Sequence, residues 1–349
     1  MVTIGILGSG EVLKWHILGI GANPDVRVKA IAARNESTGG AAAERLGANY
    51  YRTAGEMYGK EDLDGVINLM PNHLHFESCM EAIDANIRFI LCEKPLGNDL
   101  EKTKELVKRV EETGAQLQVG YMKRFNPGFR KAKEALDVIG PVQFACFTTV
   151  ETGVAGEASH RDSSSPWKTD PVLSGGGNLT HVGSHDIDFI RHLFGDVKAV
   201  SCRLRRDGEG LPEFYAGGRL FMENGLDVEL RIGRVNVPNL GPDWDLFRGG
   251  WNETLEIIGD HGYIRVANPS WEGLGAVKVT SWFKGEPGPS VTYYDSSLQW
   301  AGELADFARG IENGKLSPSA TTAADALKVD QTVRMMRVSD ERGGEVVTL

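Results

Sequence analysis

Along the first third of the chain, short apolar runs alternate with stretches whose apolar residues recur at helical spacing. Val2–Leu7 is a run of β-type residues that stops at Gly8. From Glu11 to Ile20, Val12, Trp15, His16 and Leu18 recur at helical intervals. Val26–Ala32, Val66–Met70, Ile87–Cys92 and Leu117–Gly120 read as further strands, and Ser37–Leu46, His75–Ala85 and Leu100–Thr113 as helices. Strands that alternate with helices imply βαβ units, hence a doubly wound parallel sheet with right-handed crossovers.

After residue 122 the pattern changes. A helix over Phe129–Val138 leads into a long strand, Val142–Val150, then a Ser/Gly-rich stretch, Gly153–Gly177, and a helix over Leu179–Phe194. Six strand candidates follow with little helix between them: 197–205, 219–223, 226–233, 253–259, 263–268 and 276–283. Runs of strands joined by turns imply a large, mostly antiparallel open sheet. Helices over Gln299–Glu312 and Ala323–Val338 close the chain, with Thr322 as N-cap of the second. The fold class is thus α/β over residues 1–122 and α+β over 123–349, with the last helix able to pack back on the first domain.

Composition narrows the partners. A chain of 349 residues suggests about two domains. With 41% hydrophobic and 25% charged residues it has the makeup of a globular protein. A net charge of −10 disfavours a nucleic-acid or anionic-membrane partner, both of which call for a basic surface. No run of about 18 apolar residues is present and Met1–Gly5 does not open a signal peptide, so a cytoplasmic location is expected. Cys79, Cys92, Cys146 and Cys202 are scattered and read as reduced, mostly buried thiols.

Four places could carry chemistry. Gly8-Ser9-Gly10-Glu11-Val12-Leu13 lies between the first strand and first helix. There Gly8 permits a tight turn and Gly10 lets a pyrophosphate approach the helix N-terminus; without a ligand it is simply a glycine turn. At the end of the second strand, Ala33 stands where an NAD-binding unit usually has an acid, and Arg34 and Asn35 follow. Arg34 can pair with a 2′-phosphate, which favours NADP over NAD; otherwise it is an ordinary surface arginine. Cys92-Glu93-Lys94-Pro95 ends a buried strand at the sheet edge where ligands bind. Lys94 could steady an alkoxide as hydride leaves, or be a solvated loop lysine paired to Glu93. Fourth, in 175–188, His181, His185 and Asp188, with His192 beyond, form a stripe at helical spacing. It suits proton transfer, a metal pair, or a plain surface stripe; no third ligand has metal-site spacing, so no metal is assigned.

Together these segments resemble one family. Gly8-Ser9-Gly10, Pro71-Asn72-His73-Leu74-His75, Glu93-Lys94-Pro95, Gly120-Tyr121-Met122-Lys123-Arg124-Phe125-Asn126-Pro127 and the segment 175–188 stand in the order and spacing of the Gfo/Idh/MocA oxidoreductases. Trp167-Lys168, Glu253–Gly259 and the closing helix are similar too, so the resemblance runs over nearly the whole chain. It implies an N-terminal Rossmann domain and a C-terminal substrate-binding and oligomerisation domain. It implies Lys94 as the residue that holds the reacting hydroxyl near the nicotinamide, often before a cis Lys–Pro bond, and His185 as proton acceptor. Met70, Pro71, Asn72, His75 and Glu93 match positions beside the cofactor. Tyr121, Lys123, Arg124 and Trp167 match positions that face the substrate. Where many sugar and cyclitol relatives have aspartate, this chain has His181. Two imidazoles one turn apart disfavour double protonation, so His185 is expected neutral, with His181 donating to a second substrate oxygen.

The resulting expectation is an NAD(P)-dependent dehydrogenase acting on a secondary alcohol of a sugar, cyclitol or sugar derivative. It is expected to assemble as a dimer or tetramer through the C-terminal sheet. Two alternatives stand beside it: a redox-neutral glycosidase or lyase that uses the cofactor transiently, and a sensor without catalysis. Retention of both Lys94 and His185 argues against the sensor, which needs no proton relay.

Overall fold

The computed structural model describes residues 1–152, 167, 170–235 and 251–349. Most of the Ser/Gly-rich stretch Gly153–Gly177 therefore lies outside the described residues. The chain forms two units, Met1–Met122 with Trp300–Asp330, and Lys123–Gln299 with Gln331–Leu349.

In the first unit the elements run β1 (Val2–Leu7), α1 (Leu13–Gly21), β2 (Val26–Ala32), α2 (Glu36–Leu46), β3 (Asn49–Tyr51), α3 (Ala54–Tyr58), β4 (Gly65–Asn68), α4 (His75–Asp84), β5 (Phe89–Cys92), α5 (Leu100–Thr113) and β6 (Gln116–Val119). The six strands lie parallel in the order β6-β5-β4-β1-β2-β3. The order reverses between β1 and β4, the switch point beyond which such sheets bind ligands. Val2, Ile4, Ile6, Val28, Ile31 and Ile67 fill the sheet core. The short β3 and α3 have no apolar run and were not expected from the pattern. Thr53 caps α3 by accepting from the Glu56 amide.

Trp300–Asp330, assigned from sequence to the second domain, belongs to this first unit. Leu304, Phe307 and Ala308 join its apolar core, and Thr321–Thr322 add an antiparallel edge strand to β6. Thr322 caps the helix that follows: its Oγ1 accepts from the Asp325 amide, and Asp325 accepts from the Thr322 amide, a reciprocal capping box.

The second unit contains α6 (Pro127–Ala135), β7 (Val142–Thr152), α7 (Pro171–Ser174), a π-helical turn over Leu179–Gly183 running into α8 (Ser184–Phe194), then β8 (Val197–Arg206), β9 (Glu213–Met222), β10 (Asp227–Val235), β11 (Trp251–Gly259), β12 (Gly262–Asn268), β13 (Ala276–Phe283) and β14 (Ser290–Asp295). The strand order is β14-β13-β12-β11-β7-β10-β9-β8, with Val347–Thr348 beyond β8. Among the described residues of this sheet, only β7 and β10 pair parallel. Helices α9 (Leu298–Asn313) and α10 (Ala323–Glu341) end the chain. Phe129 of α6, Phe147 of β7 and Phe189 of α8 pack together with ring centroids 5.1–6.5 Å apart. That contact seats α8 on one face of the sheet. The first half of β9 escaped the sequence reading because Gly217 and Gly218 interrupt its apolar pattern. A Cβ on Gly218 would strike the Ser201 carbonyl of β8, so the glycine allows the two strands to pair closely.

Candidate active site

At the carboxyl edge of the first sheet, Gly8 follows β1 with φ +91°. A Cβ there would also lie 2.8 Å from the Leu69 carbonyl, so this turn requires glycine. Gly10 differs: a Cβ on it would meet no atom within 4 Å, leaving open space above the turn. Helix α1 begins just beyond with no side-chain cap at Val12 and no acid in its first turn. Open space above glycine and an uncapped helix start fit a pyrophosphate. Ser9 is tied to α2 through Thr38 Oγ1 at 2.7 Å, and Glu11 pairs with Lys14 on the surface.

Beyond β2, Ala33 is buried and Arg34 exposed. Asn35 serves α2 as N-cap, accepting from the Ser37 and Thr38 amides. No carboxylate occupies the end of β2, so this edge fits a 2′-phosphate as well as a ribose hydroxyl.

Lys94 follows β5 and is half-buried. Its bond to Pro95 is cis. The flanking residues are firmly held. Glu93 accepts from His16 Nε2 at 2.7 Å and from the Lys94 amide at 3.2 Å. Burial pushes the Glu93 pKa up, but the His16 hydrogen bond and the His16 and Lys94 charges outweigh it and hold the group ionised. Pro95 is held through His75, whose Nδ1 and Nε2 face the Pro95 and Met70 carbonyls at 2.7 Å each. Burial is the largest influence on His75 and lowers its pKa. His75, expected beside the cofactor, is fully buried with both ring nitrogens on backbone carbonyls, so its role is to join two loops. Met70 and Pro71 are half-buried on the loop after β4, and Asn72 is buried there. Tyr121 is fully buried within the first unit.

In the second unit the site is built on α8. The sequence pattern suggested one helix from Leu179 to Phe194, but its first turn is π-helical. A π-turn rotates His181 relative to the α-helical stripe and is a feature frequent at functional sites. His181 is half-buried and His185 buried. Triple glycine 175–177 makes this turn possible: side chains at Gly176 and Gly177 would collide with Arg337 and with the Glu213 backbone. Arg337 in turn donates to Thr180 Oγ1 at 2.5 Å and to Glu213 at 3.2 Å.

The residues that follow His185 explain Lys123 and Arg124. Expected to face the substrate, both are buried. Lys123 sits between Asp186 and Glu253, and Arg124 forks onto Asp188 at 2.7 and 2.8 Å. Thr149 donates to Asp186 at 2.8 Å and Asn268 to Glu253 at 2.8 Å. Lys123 and Arg124 therefore anchor α8. The surface-stripe reading of the helix fails for the same reason, because Asp188 is fully buried. Asp186, Glu253 and His16 were missed by the sequence reading. Each pairs with a residue more than 60 positions away, and no spacing rule reaches that far. Trp167 is half-buried, and Lys168 beside it lies outside the described residues. Among the described residues no three His, Cys, Asp or Glu side chains come together as metal ligands, and no helix is long and apolar enough to cross a membrane.

A doubly wound sheet with an open glycine turn at its switch point, followed by a broad sheet carrying a histidine-bearing helix, defines a nucleotide-dependent oxidoreductase architecture. Residues 2–121 match a family described as "Oxidoreductase family, NAD-binding Rossmann fold", and residues 129–265 match its "GFO/IDH/MocA C-terminal domain". The chain belongs to the Gfo/Idh/MocA oxidoreductases. It is 30% identical to inositol 2-dehydrogenase of Rhizobium meliloti (strain 1021), over 95% of this chain and 96% of that one. It is 28% identical to the scyllo-inositol 2-dehydrogenase (NAD(+)) of Bacillus subtilis (strain 168), over 90% and 87%. Among solved structures, a levoglucosan dehydrogenase in complex with NADH and levoglucosan superimposes with a TM-score of 0.83 at 21% identity, covering 99% of each chain.

Two carboxylates around one ammonium compete for it. Burial raises the Asp186 pKa to about 6, Lys123 opposes this, and Glu253 adds to it. A carboxyl group raised in the folded state adds stability that is full below its ordinary value of 3.8 and is lost as pH rises through about 6. Glu253→Gln removes the competing charge. NMR titration of the Asp186 carboxyl is expected to show a midpoint near 6 in the parent and a lower one in the variant. An unchanged midpoint would show that Glu253 does not act on Asp186.

Proposed function

We propose that this protein is a dehydrogenase of a cyclitol or sugar, moving hydride between a secondary alcohol carbon and a nicotinamide, with NADP(H) preferred. The observation that carries this reading is the half-buried Lys94 at the carboxyl edge of β5, in a chain whose full-length relatives are named inositol dehydrogenases. The nicotinamide, when bound, takes up or returns the hydride.

The residues divide the remaining work. Lys94 donates to the reacting oxygen and stabilises the negative charge that grows there as the C–H bond breaks. His185 takes the hydroxyl proton in the direction of oxidation and returns it in reduction. His181 donates to a second substrate oxygen and so orients the ring. Gly8, Ser9, Gly10 and the start of α1 receive the pyrophosphate. Ala33 leaves room for a 2′-phosphate and the exposed Arg34 supplies its counter-charge.

We further propose that the uncovered face of the second sheet joins a second copy of this chain. Phe144, Ile258, Tyr263 and Trp282 are direct cross-strand neighbours on β7, β11, β12 and β13. They form an apolar row on the face turned away from Phe147, Leu255 and Ile257 of the core. Phe144 is 39% and Ile258 47% exposed, unusual values for adjacent large apolar residues paired within a sheet.

A screen of inositols, levoglucosan and common sugars with NAD and NADP, read by reduced-nicotinamide absorbance, tests the activity. Turnover of a sugar without net absorbance change would overturn it in favour of redox-neutral chemistry. Lys94→Ala is expected to lower kcat/KM by about 10²–10³-fold, mostly in kcat, whereas His181→Ala is expected to act mainly on KM. Arg34→Ala is expected to weaken NADPH roughly tenfold or more while sparing NADH; tighter binding of NADH than NADPH by the parent would sink the NADP assignment. Ile258→Asp is expected to reduce the mass measured by light scattering to that of one chain, and a parent already of that mass would dispose of the interface.

A further inference from the structure

The fold invests two buried histidines in the backbone on either side of Lys94. Pro95, after the lysine, has its carbonyl 2.7 Å from His75 Nδ1. Glu93, before it, is held from α1, a separate element. His16 Nε2 lies 2.7 Å from Glu93 Oε1, and Glu93 Oε2 accepts from the Lys94 amide at 3.2 Å. Because Glu93 is ionised, it can only accept, so the Nε2 of His16 carries the proton it shares. His16 is itself fixed. Its ring meets Trp300 edge-on at 5.5 Å, and Trp15 stacks on the same indole at 6.5 Å. Gly19 brings α1 close enough that a Cβ would lie 2.8 Å from the Trp300 carbonyl. On its far side the Glu93 carboxylate has no room, since a Cβ on Gly120 would lie 3.3 Å from Glu93 Cδ.

We propose that His16, acting through Glu93, is a positioning residue for Lys94. It sets the direction of the Lys94 amide and thereby the base from which the flexible side chain reaches the reacting oxygen. This rests on Lys94 having the role given above. A carboxylate with His16 on one oxygen and the Lys94 amide on the other has one orientation. Without His16, the carboxylate is buried without its strongest partner and turns or draws in water, and the amide loses its fixed acceptor. Placement errors of about 1 Å at a catalytic group cost on the order of 10²-fold in rate. A pair whose polar atoms meet each other and the Lys94 amide can therefore control kcat.

His16→Leu removes the donor, and His16→Gln keeps an N–H able to reach the carboxylate. His16→Asn, polar but too short, replaces the leucine variant should that one not fold. With the substrate and cofactor identified by the screen above, His16→Leu is expected to lower kcat roughly tenfold or more with cofactor affinity nearly intact, and His16→Gln to restore most of the loss. In a Lys94→Ala background the same change is expected to cost nothing further, because residues that act through one another are not additive. In ligand-free protein, hydrogen exchange at the Lys94 amide is expected to speed up roughly tenfold or more in His16→Leu. The proposal is overturned by a kcat within about twofold of the parent, by an equal loss with and without Lys94, or by unchanged exchange at that amide. Full activity of Lys94→Ala alone would refute the role of Lys94 instead, and the exchange measurement would still decide whether His16 fixes its backbone.

Discussion

Lys123 is the first residue of the second unit, and its ammonium is enclosed by Asp186 of α8 and Glu253 of β11. Taking such charges out of water costs several kcal/mol for each ion, offset only when geometry and added hydrogen bonds are good. Thr149 and Asn268 supply those bonds, one to each carboxylate. The arrangement tolerates little displacement, because a carboxylate drawn away leaves a buried ammonium short of a partner. Helix α8 is thus fixed in height along the sheet by Asp186 and in rotation by the fork from Arg124 to Asp188. His185 immediately precedes Asp186 and lies three residues before Asp188. The ion pairs of its neighbours fix the backbone that carries it, and rigid placement is what the proposed role of proton acceptor requires.

The first unit solves the same problem with weaker means. Lys94 lies on a loop beyond a strand end, where no ladder of hydrogen bonds restrains it. Glu93 and Pro95 supply the restraint, through His16 and His75. Here the buried charge is a single carboxylate, and its partners are an imidazole and an amide rather than a guanidinium. In both units the proposed catalytic residue stands beside, not upon, the strongest buried interactions. The residues next to Lys94 and His185 bear the constraint.

The elements whose pattern is purely local were legible in the sequence. β1, β2 and α5 fall where apolar spacing puts them, and Thr322 caps its helix as its position before an alanine-rich segment suggests. The errors share one cause, which is that a distant partner decides. β9 carries two glycines that make sense only against the Ser201 carbonyl of β8. The π-turn at Leu179 depends on Arg337 and Glu213 entering beside glycines at 176 and 177. Lys123 and Arg124 were expected to face the substrate because they match family positions that line the cleft. Their burial follows from acids 63 and 64 residues away. His16 looked like one more residue on the inner face of α1, and only the fold brings Glu93 to it. Lys94 and His185 were proposed from motif order, a signal that does not depend on distant contacts.

Net charge and ligand charge also need to be reconciled. A chain of net charge −10 is proposed to bind a cofactor that is itself a polyanion. Exposed charges farther than about 8–10 Å apart are largely screened at physiological salt. The global sign therefore matters far less than the few groups at the edge of the first sheet. There the local balance is favourable. The first turn of α1 carries no acid, so the partial positive charge of its amides is not neutralised from within. The end of β2 carries Ala33 instead of a carboxylate, and the exposed Arg34 follows it. Glu93 is buried there, with its charge already committed to His16 and the Lys94 amide. The remaining acids can keep the surface polar with little opposition to the ligand, because the acid of the turn, Glu11, is exposed and paired with Lys14, and the first turn of α1 carries no carboxylate.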